Sequence, residues 1–275
     1  MISFDEALSR ALAPVCPMES ERVAIGDARG RVLSEHVHAL IDAPRADIAA
    51  MDGYAVRLAE ARSGEALTIV GEAFAGTPFT TMLGAGQAVR IFTGAHVPKG
   101  ADCVVMQEYA QLCGDTVSFA QGFGPGRHIR ERGGDFAAGA VVIAKGTRLS
   151  PAGMIALAGA DVANVAVARQ PRVAIIVTGD ELVAPGSAAD NINRRPDSAS
   201  FGVTALAERY GAKIVRVLRA GDDLKALEAI AAQALSLADL VIVIGGASVG
   251  KRDFAKSMFA GAGLELAFSK VAIKP

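Results

Sequence analysis

Residues Leu240–Asp253 read LVIVIGGASVGKRD. Leu240 to Ile244 are apolar without alternation. A strand of that kind is buried on both faces and belongs to a parallel sheet covered by helices. Ligands of such sheets bind outside the carboxyl ends of the strands. Gly245, Gly246 and Gly250 follow at that end, where a missing side chain lets backbone N–H groups approach an anion. The run points to a phosphorylated or otherwise anionic small molecule. A glycine turn that only lets a helix approach the sheet is the plainer alternative. Gly245, Gly250 and Lys251 also match a Walker-type phosphate loop up to its last position. There Arg252 replaces the Ser or Thr whose hydroxyl ligates magnesium, which argues against a nucleotide hydrolase.

The pattern upstream has the same character from Arg172 onward. Val173–Val177 reads as a buried strand. A helix is expected from about Ala199 to Tyr210, and a strand over Lys213–Leu218. A second helix, capped by Asp222 or Asp223, carries Leu224, Leu227, Ile230, Ala231 and Ala234 on one face. After the Leu240 strand come a helix near Phe254–Phe259 and a strand near Leu266–Ile273. Strands alternating with helices predict a doubly wound α/β domain.

Between about Ala46 and Arg132 the texture differs. The short apolar runs Ala66–Val70, Ala88–Phe92, Cys103–Met106 and Thr116–Phe119 alternate with glycine-rich turns, as in a small β domain. Ser3 and Glu6 form a capping box for a first helix striped by Phe4, Ala7, Leu8, Ala11 and Leu12. Pro14 and Pro17 end it. Ser150-Pro151 starts another helix, running to about Leu157. The chain stops at Lys274-Pro275, directly after the last expected strand, which predicts that more sequence follows.

With 275 residues, 51% of them hydrophobic and 21% charged, the chain has enough apolar surface for roughly two domains. Its net charge of −1 argues against a general nucleic-acid binder. Charge is uneven, however. Leu240–Pro275 holds five basic residues and two acidic ones, so the glycine loop lies in a cationic segment. Cys16, Cys103 and Cys113 lack CxxC spacing, and no apolar run reaches the ~20 residues of a membrane span. With no basic-then-apolar leader, the expectation is a cytoplasmic protein.

Candidate chemistry gathers at a few places. Thr178-Gly179-Asp180-Glu181 ends a strand, and its adjacent carboxylates suit magnesium or a positioned water. Spacing alone favours an N-cap with a first-turn charge. Lys270 and Lys274, four apart on a strand, share a face and suit an oxyanion; two solvated lysines are the commoner case. His36 and His38 also share a face, without a third metal ligand at motif spacing. Met51-Asp52-Gly53-Tyr54 gives a turn with an exposed carboxylate.

Taken together, the ordered set Ala50–Arg57 (AMDGYAVR), Arg90–Pro98 (RIFTGAHVP), Ala101–Glu108 (ADCVVMQE), Arg132–Asp135 (RGGD), Gly139–Arg148, Thr178–Leu182 (TGDEL), Gly245–Gly250 (GGASVG) and Lys270–Pro275 (KVAIKP) resembles the MoeA-type molybdenum insertases, the family of the gephyrin E domain. The resemblance implies an α/β multi-domain fold. An extended helix/strand N-terminal domain would take 1–45 and 134–168, an inserted small β domain 46–133, and a doubly wound α/β molybdopterin-binding domain 169–275. It implies insertion of molybdate into adenylylated molybdopterin with release of AMP, a magnesium ion, and a homodimer.

Carried over by motif, the resemblance makes Asp52, Thr93, Asp135, Glu181, Asp222 and Asp253 the catalytic set, with Glu181 and Asp253 on the metal. Gly245, Gly246, Ser248, Gly250, Lys270 and Lys274 would bind substrate. The chain departs from the family pattern in lacking the C-terminal β-barrel and the Gly-Lys-Pro usual after the last matched proline. It has Ala199 where the family usually has Asn, Gly134 within Arg132–Asp135 where Glu is usual, and Lys251-Arg252 at positions typically acidic or small. These departures keep a second reading in view, a non-catalytic or truncated molybdopterin-binding protein.

Overall fold

Apolar runs without alternation become the centres of two different sheets. The computed structural model describes residues 1–124, 126–246 and 254–273. The chain divides into two compact units, Val23–Val165 and Met1–Arg22 with Ala166–Pro275. Residues 1–22 therefore group with the α/β part, whereas the sequence division kept 1–45 with 134–168. Among the described residues no helix is long and apolar enough to cross a membrane.

Helix α1 is Phe4–Leu12, and its Ser3 cap accepts a hydrogen bond from the Glu6 amide at 3.1 Å. The other half of the expected capping box is not made: the Glu6 carboxylate pairs with Arg10 at 2.7 Å. Of the apolar stripe, Ala7 is buried, while Phe4, Leu8 and Leu12 stay exposed.

Val23–Val165 is built on a six-stranded sheet. Its strands are β1 (Gly53–Val56), β2 (Leu67–Ala73), β3 (Gln87–Ile91), β4 (Cys103–Met106), β5 (Ala110–Cys113) and β6 (Thr116–Phe119). They lie in the order β4-β1-β3-β2-β6-β5. The β2–β3 pair is parallel and the others antiparallel. Both faces are covered, which explains why the central runs do not alternate. Tyr54, Val56, Cys103 and Val105 enter one core, and Ala55, Val104, Val89 and Ile91 the other. Gly53 is forced: a Cβ there would overlap the Val105 carbonyl oxygen of the neighbouring strand. His36 and His38 are engaged with backbone. His38 Nδ1 donates to the Gly139 carbonyl at 2.9 Å, and His36 Nδ1 accepts from the Lys145 amide at 3.2 Å.

The second unit carries a parallel sheet of β7 (Arg172–Thr178), β8 (Lys213–Ala220) and β9 (Leu240–Ile244), in the order β8-β7-β9. Helix α2 (Ala199–Arg209) covers one face, where Val203 meets Val173, Ile175 and Val177. Helix α3 (Leu224–Leu237) covers the other, setting Leu227, Ala231 and Ala234 against Ala174 and Ile176. The doubly wound expectation holds for this unit. The first strand is central, so connections leave it in opposite directions and a topological switch point falls between β7 and β9.

The C-terminal segment differs from expectation. No strand forms at Leu266–Ile273; Val271 makes a single parallel bridge to Ile2, and the turn near Phe259 is a 3₁₀ helix, Ser257–Ala262. An apolar-rich segment does not make a strand without a partner that supplies a ladder.

Candidate functional site

In the β unit, strand register brings Asp52 and Thr93 together. Asp52 precedes the central strand β1 and Thr93 follows β3, and Gly53 sits opposite Ile91 in that ladder. Asp52 Oδ1 accepts from the Thr93 amide and from Thr93 Oγ1, each at 2.7 Å. Those two bonds hold the carboxyl below the usual carboxylate range, with a further contribution from the charge of Arg90.

Arg90 was not singled out from the sequence, although it opens the RIFTG motif. Its guanidinium lies over the Tyr54 and Phe92 rings, 5.0 and 4.8 Å from their centroids, and donates to the Gly53 carbonyl and to Gln107 Oε1. Asp135 is placed apart from this pair. It makes an ion pair of 2.6 Å with Arg130, both side chains half-exposed. Among the described residues nothing joins it to Asp52 or Thr93.

In the α/β unit the carboxyl ends of β7 and β8 frame a cavity of about 240 Å³, lined by Val177, Gly179, Asp180, Leu182, Arg219 and Gly221 among others. No helix follows Asp180-Glu181, so the cap favoured by spacing is not what they do. Leu182–Val183 instead forms a short parallel bridge strand with Arg195–Pro196. Asp180 Oδ1 accepts from the Asp222 amide at 3.0 Å, tying the two strand ends together, and its carbonyl accepts from Arg194 at 2.8 Å. Of the two candidate caps for α3, Asp223 does the work, accepting from the Ala226 amide at 2.8 Å. That frees Asp222: among the described residues neither its carboxylate nor that of Glu181 has a hydrogen-bond or ion-pair partner.

Gly245 and Gly246 end β9 with φ of 98° and 61°. A Cβ on Gly245 would stand 2.5 Å from the Thr178 carbonyl oxygen, so this turn closes against the end of β7 only with glycine. Lys270 is exposed, and its carbonyl accepts from the Ile2 amide. The shared strand face expected for it and Lys274 has no strand beneath it. Ser248, Gly250, Asp253 and Lys274 lie outside the described residues, as do Lys251 and Arg252 of the Walker-type loop.

A second group escaped sequence reading. Asp197 is 2% exposed and accepts from the Ser200 amide, from Ser200 Oγ and from both Nε and Nη2 of Arg219. Burial acts to raise its pKa, and the bonds from Ser200 and Arg219 outweigh it, leaving the carboxyl below its ordinary value. The sequence signal was present but faint: Asp197 and Ser200 are three apart at a helix start, as in a cap.

The sequence matches the MoeA N-terminal region (domain I and II) over residues 2–160 and a probable molybdopterin binding domain over residues 174–275. It is 36% identical over 277 residues to a molybdopterin molybdenumtransferase of Haemophilus influenzae, across 100% of this chain and 68% of that protein. It is 35% identical over 268 residues to one of Nostoc, across 94% of this chain and 60% of that protein. The fold is similar to the crystal structure of the molybdopterin biosynthesis MoeA protein from Pyrococcus horikoshii, with a TM-score of 0.79 and 29% identity over 88% of this chain and 66% of that one. The chain thus spans 60% to 68% of the length of these relatives.

Proposed function

The chain belongs to the MoeA family of molybdopterin molybdenumtransferases, and from that premise we propose that it inserts molybdenum from molybdate into molybdopterin, hydrolysing the adenylylated pterin and releasing AMP. The observation that carries the reading is Asp52, an ionised carboxylate fixed by two bonds from Thr93 at the end of a rigid sheet. Fixed charge of this kind lowers a barrier without reorganising during reaction. Phosphoryl transfer asks for positioning and electrostatics more than covalent chemistry. The α/β unit adds open carboxylates, Glu181 and Asp222, and a cavity of about 240 Å³ at the carboxyl ends of β7 and β8, the end of the sheet on which such folds bind ligands.

Magnesium suits this set by donor type, because it takes oxygen ligands and needs only one or two carboxylates beside its waters. Among the described residues no group of three or more His, Cys, Asp or Glu converges on a metal position. Glu181 is therefore the described residue that would hold it, with Asp253 as the second. When bound, the ion would neutralise charge on phosphoryl oxygens. We also propose a homodimer as the working form and the cytoplasm as its compartment. Free thiols at Cys16, Cys103 and Cys113 are in keeping with a reducing environment. The division of residues 1–168 into an N-terminal domain and an inserted β domain at 46–133 belongs to the same proposal.

The test is AMP release from adenylyl-molybdopterin by the purified chain with molybdate and magnesium. Molybdate-dependent release is expected. Asp52→Ala and Glu181→Ala should each lower it about 100-fold, the scale of one lost electrostatic group, with unchanged thermal unfolding. Unchanged turnover in both variants would remove the site assignment. Retained pterin binding without release by the unaltered chain would leave a binding protein in place of an insertase.

A further inference from the structure

Arg219 is the basic side chain among those lining the cavity at the ends of β7 and β8. Parallel register sets it beside Val177, at the last turn of the ladder. Its guanidinium offers five N–H donors. Asp197 Oδ2 takes one from Nε at 3.2 Å and one from Nη2 at 2.8 Å. Three donors remain, two on Nη1 and one on Nη2, and no partner for them is described among the described residues.

The two partners differ in exposure. The Asp197 side chain is 1% exposed and that of Arg219 48%, so the carboxylate lies inside while the guanidinium's outer edge meets the cavity. Ser200 fills the remaining acceptor capacity of Asp197 and fixes it in turn. An arginine held from behind by a saturated, buried carboxylate is a preorganised planar fork.

The local charge decides what such a fork takes. Arg219 is neutralised by Asp197, and Asp180 lines the same cavity with a further carboxylate. A pyrophosphate would enter against a net negative wall. A neutral planar ring with oxygen and nitrogen acceptors on its edge would meet the three donors without that repulsion. The half-buried apolar side chain of Leu182 suits one face of such a ring. Gly221 leaves the floor bare, since a Cβ there would overlap Asp180 Oδ1.

We propose that Arg219, held by Asp197 and Ser200, is a specificity-determining residue that grips the acceptor edge of the pterin ring, while the phosphate end of the substrate lies elsewhere. This rests on the reading of the α/β unit as a molybdopterin-binding unit. It adds which side chain reads the heterocycle and by which atoms.

The test uses the full chain with free pterin as the probe, followed by pterin fluorescence; the chain has no tryptophan to interfere. A second probe, 2-aminopteridine, lacks the ring carbonyl. Unaltered protein should bind pterin in preference to 2-aminopteridine. Arg219→Gln should weaken pterin binding roughly 10- to 100-fold, the scale of a hydrogen bond to a charged group, and abolish the preference. Arg219→Lys should not restore it, because an ammonium cannot replace a fork. Asp197→Asn retains the cation and the shape of the pair, so it guards against loss of fold. It should weaken pterin binding several-fold by loosening the fork.

Three results would overturn the proposal: no pterin binding by the unaltered chain, equal binding by Arg219→Gln, or Arg219-dependent binding of pyrophosphate in place of pterin. The insertase reading fails separately. Arg219-dependent pterin binding with no AMP release would sink that reading and leave this one standing.

Discussion

The two units treat their charged groups in opposite ways. In Val23–Val165 the sheet absorbs them. Asp52 is tied to Thr93, Arg90 to Gly53 and Gln107, and Asp135 to Arg130. In the α/β unit the treatment depends on which end of the sheet a residue occupies. At the amino ends of β7 and β9, Asp239 collects Arg169 and Arg172, with bonds of 2.8 Å and 3.0 Å and a third from the Arg172 amide at 2.7 Å. At the carboxyl ends, among the described residues, Glu181 and Asp222 are left open and Arg219 keeps three donors toward a cavity. A sheet covered on both faces builds a fixed electrostatic feature at a strand end. A parallel sheet separates a closed end that stabilises from an open end that binds.

The sharpest way to break this contrast is to remove the β sheet's tolerance of close approach. Gly53→Val places a side chain against the Val105 carbonyl. It should cost about 3 kcal/mol or more and unfold the β unit, while far-UV circular dichroism retains the helical signal of the other unit. Loss of both units together in one transition would contradict their description as separate. A smaller change tests whether Asp52 is truly fixed: Thr93→Val removes the hydroxyl bond and keeps the amide one. AMP release should fall about tenfold, near the ~1.5 kcal/mol of one hydrogen bond to a charged group, with only a small loss of stability.

The closed end of the α/β sheet answers to acid. Hydrogen bonds from Arg169, then from Arg172, hold the Asp239 carboxyl well below its ordinary value. A depressed folded-state pKa contributes stability that is complete above the unfolded value of about 3.9 and is lost as pH falls through the folded one. Thermal unfolding followed from pH 7 to pH 2 should show that decline. Asp239→Asn should start about 1–2 kcal/mol lower at pH 7 and decline less steeply. The smallest effect belongs to the cap of α3. Asp223→Ala should cost about 1 kcal/mol and leave AMP release alone, whereas Asp222→Ala, one residue earlier, should do the reverse.

How much of this the sequence displayed depended on whether a signal was local. The strands β7 and β9 were readable because each is an apolar run, rich in Val and Ile, that ends at a glycine; β8, only partly covered and carrying three cations, was readable from its place between two helical patterns. Ser3, Ser150 and Asp223 were readable because a cap is a contact over three residues. Asp180 misled, since the same residue types that cap a helix also tie two strand ends. Leu266–Ile273 misled because an apolar-rich segment says nothing about whether a neighbouring strand exists. Arg219 was invisible: in KIVRVLRA the cations recur every third residue, at Lys213, Arg216 and Arg219, with no period of two to mark a face. Only the register opposite Val177 puts it over the cavity. The Asp52–Thr93 pair lies between, its members 41 residues apart and joined only by the β1–β3 ladder.

One consequence of the chain's division concerns its synthesis. Val23–Val165 is continuous, so every strand of its sheet is present as soon as residue 165 has left the ribosome. The other unit is not: α1 emerges before the β unit, while Ala267, which accepts a hydrogen bond from Arg10, and Lys270, which accepts one from the Ile2 amide, emerge after it. At roughly 5–20 residues per second the wait is on the order of tens of seconds. Throughout it the hydrogen bonds that tie Ile2 and Arg10 to residues 267–272 cannot form. The β unit's strands are thus all present before the other unit can close, and α1 is tied to its partners only once residues 267–272 have emerged.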